Sequence, residues 1–394
     1  LIVTREALIR INISGNKSES TDWFRSSNFI DKEGDSFFLN NEYSKKWRKT
    51  REELKTYPIR TGSSVSEIQI IVDEEGIYKI SYEHLLNSLE EYSEEYELEF
   101  ELAFDWDDLD PRYLNLSDEY GSIPIHFVGE SDGSFEPGDY FEFFGKPHYG
   151  DTSYYDDFTS ENVYKLTLLE TLGARMAVEN GGLGITDPSE YTIPQSFQQT
   201  VHIEEQQIMD HLGAQFLYNS PNYYREDIWF WDRISAPDLE IFPFDIQYPH
   251  QSNIRFFTAK VCLFSTTFNP DNYYQINHHA IVRINSSIIN NHEWYGQTEI
   301  IFENQGIIPN SYLSHGSNNL YISLPGISYV ANEQVLLDYM ELTYWREYIT
   351  DNNILQFCKP QNKPFGLFQF VLENFSQEEI YVYKIGSSIM ENIQ

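Results

Sequence analysis

Cationic side chains are scarce in this chain. Lys and Arg number 26 against 62 Asp and Glu, so the formal charge is −36 over 394 residues. Neutralising phosphates takes clustered cations, and a surface this acidic repels them, which argues against nucleic acid and against anionic membrane as partners. Long apolar runs are missing as well: no stretch approaches the roughly 20 residues of a membrane span, and none reads as a secretory leader. Cysteine is nearly absent. Cys262 and Cys358 lie far apart, which gives neither a disulfide framework nor a metal-knuckle spacing. Buried free thiols are the ordinary reading of such a pair, and a single bridge is the other. No Ser/His/Asp order and no Gly-rich phosphate loop is recognisable. The chain opens on Leu1 rather than Met, as a processed or trimmed product would.

What is present is aromatic and apolar. Hydrophobic residues make up 41% and aromatics 16%, enough to bury large cores and to exclude general disorder. At roughly 150 residues per domain, the length suggests two or three domains. Residues 1–65 form a lead-in with one amphipathic helix, in which Tyr43, Trp47, Thr50 and Leu54 share a face and Lys45, Lys46, Arg48, Lys49 and Arg51 cover the rest. That basic helix either pins the lead-in to an acidic neighbour or is a solvated face.

Residues 66–194 read as a β-rich domain. Glu67 to Val72 and Ile77 to Ile80 flank the turn Asp73-Glu74-Glu75-Gly76, a predicted hairpin. Ser81 is a predicted N-cap for a helix whose apolar face carries Leu85, Leu89, Tyr92 and Tyr96. Strands are expected at Ile123 to Val128, Tyr140 to Phe144 and Val163 to Leu168, and Gly181 to Pro194 reads as a connector. Residues 195–350 alternate strand and turn with no helix-length pattern. Strands are expected at Ile254 to Thr267, Ala280 to Asn285, Glu299 to Glu303, Leu320 to Leu324 and Leu336 to Tyr344. Antiparallel strands without crossover helices must bury their apolar faces on another sheet, hence a jelly-roll (galactose-binding-like) β-sandwich. Residues 351–394 hold two further expected strands, Leu367–Leu372 and Ile380–Ile385, which read as the start of another domain. The fold class expected is mainly β, with one or two helices in the N-terminal part.

Several segments together resemble a known family. They are Asp110-Pro111-Arg112, Gly121 to Ile125, Gly129 to Asp139, Tyr140 to Gly145, Tyr155 to Leu166 and Gly173-Ala174-Arg175-Met176. Phe38-Leu39-Asn40, Trp47-Arg48 and Asp73 to Ile80 support them upstream; His279 to Asn285, Gly316 to Leu320 and Leu337 to Arg346 do so downstream. The series resembles the region preceding the catalytic domain in gingipain-type cysteine peptidases, including the sortase-like peptidases of the type IX secretion system. The resemblance implies a secreted or cell-surface protein whose β domains pack against a peptidase domain in cis and orient it. A surface binding or assembly protein, whose jelly roll takes glycan, forms a polymer or holds another cell-surface protein, is the alternative.

The catalytic Cys and His of that family have no counterpart in context here. Cys262 falls mid-strand and Cys358 follows a strand end beside Lys359, whereas a reactive thiolate needs an open electropositive setting and a base in reach. No cofactor is required by this reading, and Ca²⁺ is the one metal with candidate ligands: Asp151, Asp156 and Asp157 in one loop, and Asp105, Asp107, Asp108 and Asp110 in another. In so acidic a chain both also read as solvated loops. Trp229, Trp231 and Trp294, with Tyr273, Tyr274 and Tyr295, are candidates for stacking on sugar rings or for core packing. His278 and His279 should point to opposite faces of a strand, so they cannot chelate jointly. His292 and His315 are scattered beyond them. Asn12, Asn16, Asn115, Asn285 and Asn374 open N-x-S/T triplets, which matter only in a eukaryotic secretory route.

Overall fold

The computed structural model describes residues 8–13, 64–96, 101–102, 109–150, 154–156, 159–182, 184, 187–210, 228–267, 275–363, 366–376 and 380–393. The predicted helix over Tyr43 to Leu54 lies outside them. Among the described residues the fold is mainly β with one α-helix, as expected, and no helix is long and apolar enough to cross a membrane. The chain divides into two compact units. One comprises Thr4–His148, Phe158–Gly182 and Tyr381–Gln394; the other comprises Leu1–Val3, Tyr149–Asp157 and Leu183–Ile380.

The first unit opens with β1 (Leu8–Ile13), β2 (Ser64–Val72), β3 (Gly76–Ser81), α1 (Tyr82–Tyr96) and β4 (Glu101–Leu102). It continues with β5 (Leu114–Asp118), β6 (Gly121–Ile123), β7 (His126–Val128), β8 (Tyr140–Gly145), β9 (Asn162–Leu168) and β10 (Ala177–Asn180). One sheet runs β1-β2-β9-β5-β6, with β4 beside β2, and a second runs β3-β8-β7. Ile68, Ile70, Leu116 and Leu166 from the first sheet meet Tyr78, Ile80, Phe141 and Phe143 from the second in one core. Helix α1 lays Leu85 and Leu89 on that core, and its N-terminus is capped as expected, the Ser81 Oγ accepting from the His84 N–H at 3.1 Å. Each such fully buried side chain contributes roughly 1.5–3 kcal/mol of burial free energy.

The predicted hairpin at Asp73 to Gly76 is corrected. Both edges of β2 are taken, by β1 on one side and β9 on the other, so β3 pairs with β8 in the second sheet. The acidic turn is a corner between sheets, braced by the Tyr78 hydroxyl donating to the Glu74 carbonyl at 2.9 Å. The stretch Ile123 to Val128 likewise breaks into β6 and β7 in different sheets, because Pro124 has no N–H to offer a ladder.

The second unit is a β-sandwich built from β11 (Ser196–Glu204), β12 (Ile208–Met209), β13 (Trp229–Phe230), β14 (Asp232–Ser235), β15 (Asp238–Ile246) and β16 (Phe256–Ser265). After these come β17 (His278–Ile284), β18 (Ser287–Trp294), β19 (Glu299–Glu303), β20 (Ile308–Pro309), β21 (Gly316–Leu324) and β22 (Gln334–Glu347). One sheet runs β11-β22-β16-β19, with β14 on β22 and β20 on β16; the facing sheet runs β15-β21-β17-β18. The core between them interleaves Val261, Leu263, Met340 and Leu342 with Phe242, Val282, Leu320 and Ile322.

Two short strands close the chain, β23 (Val382–Lys384) and β24 (Ser388–Glu391). They join β10 in a three-stranded sheet of the first unit, ordered β10-β24-β23. The expected strand at Leu367–Leu372 does not form. That stretch makes only single bridges, Phe368 with Thr192 and Glu373 with Ile349.

Candidate interaction surface

Most segments that carry the family resemblance, Asp110 to Arg112, Gly121 to Gly145, Phe158 to Leu166 and Gly173 to Met176, lie in the first unit, where the bonds of Arg175 and Asp110 are structural. Arg175 donates its Nε to Glu130 at 2.7 Å, its Nη1 to the Leu114 carbonyl at 3.0 Å and its Nη2 to the Pro111 carbonyl at 2.6 Å. Its guanidinium also lies 5.6 Å from the Phe127 ring centroid. One side chain thus ties β7, the Gly129 turn, the 3₁₀ turn Pro111–Tyr113 and the start of β5. Asp110 caps that turn through the Arg112 N–H and holds the Arg112 guanidinium at 2.5 Å. These bonds keep the Asp110 carboxyl below its ordinary range. Two glycines in the series are steric necessities: a Cβ on Gly129, at φ 107°, would stand 1.8 Å from Asp139 Oδ1, and one on Gly173 would stand 1.9 Å from the Leu114 carbonyl oxygen. The Arg175–Glu130 pair was not anticipated from sequence. Its members are 45 positions apart, and only the turn-rich motif around each marked them.

Neither thiol has the surroundings of a nucleophile. Cys262 is fully buried in β16. Cys358 is exposed, but burial of its sulfur pushes the thiol up, and its nearest side-chain partner is the Gln361 amide, donating at 3.1 Å. An amide cannot take the proton.

The candidate metal ligands fare unevenly. Asp105, Asp107, Asp108, Asp151 and Asp157 lie outside the described residues. Asp110 is committed to Arg112, so its oxygens serve that ion pair rather than a cation. Asp156 sits on a loop whose Tyr154 ring stacks on His202 at 3.8 Å, and His202 bonds Glu204 at 2.8 Å. Among the described residues no group of three or more His, Cys, Asp or Glu is placed to hold a metal.

Two of the three proposed sugar-stacking tryptophans are core residues, which corrects the expectation for them. Trp231 packs on Phe242 and is 5% exposed; Trp294 is equally buried and donates its indole N–H to Ser265 Oγ at 3.1 Å. Both belong to the core between the sheets, where their large apolar rings are removed from water. Trp229, at the start of β13, is half-buried. Tyr295 is half-exposed, and Tyr273 and Tyr274 lie outside the described residues. His278 and His279 do point opposite ways: His278 is fully buried against Trp294, and His279 faces outward to Asn291 at 2.8 Å. His292 stacks alongside Trp294 and His315 on Tyr248.

The feature that stands out in this unit is the outer face of the sheet β15-β21-β17-β18. Strand register sets Ile241, Tyr321, Arg283 and Ile288 in one row across the four strands. A second row holds Leu239, Ser323, Ile281 and Asn291. The Arg283 guanidinium lies 5.2 Å from the Tyr321 ring centroid. Leu239 and Ile241 on the edge strand β15 are 43% and 50% exposed, and Ile288 on the opposite edge strand β18 is 57% exposed, at positions that β-strand alternation alone would have made polar. Tyr321 and Arg283 stand between them on the middle strands, and His279, Asn291 and Glu293 are polar neighbours on β17 and β18.

No protein-family model matches the chain, and no curated protein matches it. Solved structures resemble it to different degrees. Dimeric latent PorU from Porphyromonas gingivalis superposes with a TM-score of 0.50 at 12% identity, covering 78% of this chain and 27% of that one. The chain therefore spans about a quarter of the PorU chain's length. A CBM36-1 domain of a multidomain xylanase from the hindgut metagenome of Trinervitermes trinervoides covers 37% of this chain and 95% of its own, with a TM-score of 0.21 at 9% identity.

Proposed function

We propose that this chain is the non-catalytic β region of a secreted, gingipain-like peptidase, and that it packs against and orients a peptidase module in cis. The outer face of β15-β21-β17-β18 is the observation that carries the reading. Exposed aliphatic side chains on either side of an Arg that lies over a Tyr ring are what a partner domain buries, Arg and Tyr being common anchors at such a face. The shared fold with one part of PorU and the Arg175–Glu130 knot of family-like residues support the same context. The protein works at the cell surface or outside the cell, and the chain needs no cofactor for this role.

The coding sequence tests this. A reading frame that runs past Gln394 into an α/β domain with a Cys nucleophile and a His base is the expected outcome; one that closes at Gln394 contradicts it. A second reading, a surface protein whose jelly roll takes glycan or forms a polymer, draws on the same face and the half-exposed Tyr295. Glycan-array binding abolished by Tyr321→Ala would favour it.

A further inference from the structure

The C-terminal residues of the first unit are held differently from everything else in it. The core of that unit is drawn from residues between Ile68 and Leu166, and no residue of Tyr381–Gln394 belongs to it. Ile389 and Ser388 are buried, yet they lie outside that core. What fixes the segment is an edge. Strand β24 pairs in parallel with β10, Ser388 opposite Ala177 and Glu391 opposite Asn180. The Gly181 N–H donates to the Glu391 carbonyl at 2.7 Å, and the Ala177 N–H to the Ser387 carbonyl at 3.0 Å.

Two carboxylates on the receiving side read side chains on the segment. Glu142, nearly buried at 8% exposure, stands in β8 between its cross-strand neighbours Lys79 and His126. Its Oε2 accepts from His126 Nδ1 at 3.1 Å and from the Tyr383 hydroxyl. Glu179 in β10 accepts from Ser388 Oγ at 2.5 Å and from Lys384 Nζ at 3.4 Å. The receiving side is also cut to fit. A Cβ on Gly181 would stand 2.8 Å from Ile393 Cγ2, and one on Gly182 would stand 2.7 Å from the Asn392 carbonyl oxygen. The paired glycines, which the sequence presents as a flexible connector, are a close-approach surface.

We propose that the edge of β10, with Glu142, Glu179 and the Gly181-Gly182 step, is a strand-acceptor site, and that residues 381–393 are a clasp that seats in it and can leave it. The ligand class is a β-hairpin whose second strand runs parallel to β10, with a tyrosine on the first strand that reaches Glu142 and a small hydroxyl at the start of the second that reaches Glu179. Because the core is complete without the clasp, its departure opens the site and leaves the rest of the unit folded.

Hydrogen exchange on the full chain tests this, comparing amides of Ala177–Asn180 and Ser388–Glu391 with those of Ser64–Val72 in β2. In the Tyr383→Phe and Gly182→Ala chains, the clasp amides are expected to exchange at least about tenfold faster while β2 is unchanged, the loss of a hydrogen bond to a charged group being of that size. Equal acceleration of clasp and β2 would overturn the proposal, because the segment would then be part of one cooperative unit. Unchanged protection in both variants would overturn it too. A synthetic peptide of residues 379–394 adds a direct reading. It should slow exchange of Ala177–Asn180 in the Tyr383→Phe chain, whose site is intact, and have no effect in the Glu142→Gln chain. No slowing in the Tyr383→Phe chain would contradict a strand-acceptor site.

Discussion

Each unit sets a histidine beside a glutamate, and the two pairs are treated in opposite ways. In the first unit His126 and Glu142 meet at 3.1 Å with their side chains 22% and 11% exposed, and a Tyr383 hydroxyl adds a second donor to the carboxylate. In the sandwich His278 and Glu333 are 4.0 Å apart and both fully buried. His278 Nδ1 and Glu333 Oε2 have no partner there, while Glu333 Oε1 accepts from the His279 N–H at 2.6 Å. Burial pushes His278 down to about 4 and pushes Glu333 up. Burial disfavours the charged form of a group that neither donors nor water reach. At 4.0 Å without a shared hydrogen bond, His278 and Glu333 are buried beside one another rather than joined as an ion pair. A similar contrast separates Arg175, whose donors are spent on three carbonyls and Glu130, from the half-exposed Arg112, which holds only Asp110.

The largest expected effect is at Arg175. Replacing it by Met leaves the Leu114 and Pro111 carbonyls without this donor and should destabilise the first unit by about 3 kcal/mol, read from exchange of the β5 and β9 amides or from a urea transition. Wild-type stability in this variant would mean that the knot is decorative.

Next comes the pH dependence of the sandwich. His278 titrates lower when folded than when unfolded, so between about pH 4 and pH 6.5 the unfolded chain binds more protons at this site. Its contribution is complete above pH 6.5 and is lost as pH falls, by roughly 2–3 kcal/mol at pH 4. Glu333 works the other way: raised when folded, it favours the native state at low pH and loses that contribution as pH climbs through its raised value. Urea midpoints across this range should therefore flatten on the acid side in His278→Asn and on the alkaline side in Glu333→Gln. Curves parallel to wild type in both variants would contradict the burial-driven shifts of these two groups.

Smaller effects follow. Trp294→Phe removes the indole bond to Ser265 and should cost about 1 kcal/mol in the same urea series. Arg112→Ala, on a solvent-screened pair, should leave the transition close to that of the wild type. An Arg112 effect as large as that of Arg175 would erase the distinction between the two arginines.

Much of the sandwich was legible because its inward positions alternate cleanly. Strands at Ala280 to Asn285, Glu299 to Glu303 and Leu320 to Leu324 stand where period-2 patterning puts them, within a few residues. Strand β15 was missed because Pro243 interrupts it. The proline is tolerated there because β15 lies at a sheet edge, with Phe242 and Phe244 turned inward on either side. Strand β18 was missed because Asn290 to Glu293 are polar and its edge position leaves them in solvent. The hairpin at Asp73 failed for a non-local reason: local turn chemistry cannot report that β1 and β9 already flank β2. Of the candidate sites, the opposite orientation of His278 and His279 followed from strand geometry alone. The burial of Trp231 and Trp294 did not, since a tryptophan on an alternating strand reads the same whether the face is core or solvent. The shared outward face of Leu239, Ile241 and Ile288 was invisible for the same reason, their strands being placed in one sheet only once the sheet order is known.

The decisive measurement concerns that face. Amide and side-chain protection across Asp238–Ile246 and Gly316–Leu324 should be compared between residues 1–394 alone and a longer protein in which the proposed peptidase module follows them, by exchange and by surface labelling at Tyr321. If the outer face seats a peptidase module, Tyr321 becomes inaccessible to the label in the longer protein, and Ile241→Asp restores its accessibility. Equal labelling of Tyr321 in both proteins would contradict a docking role for this face.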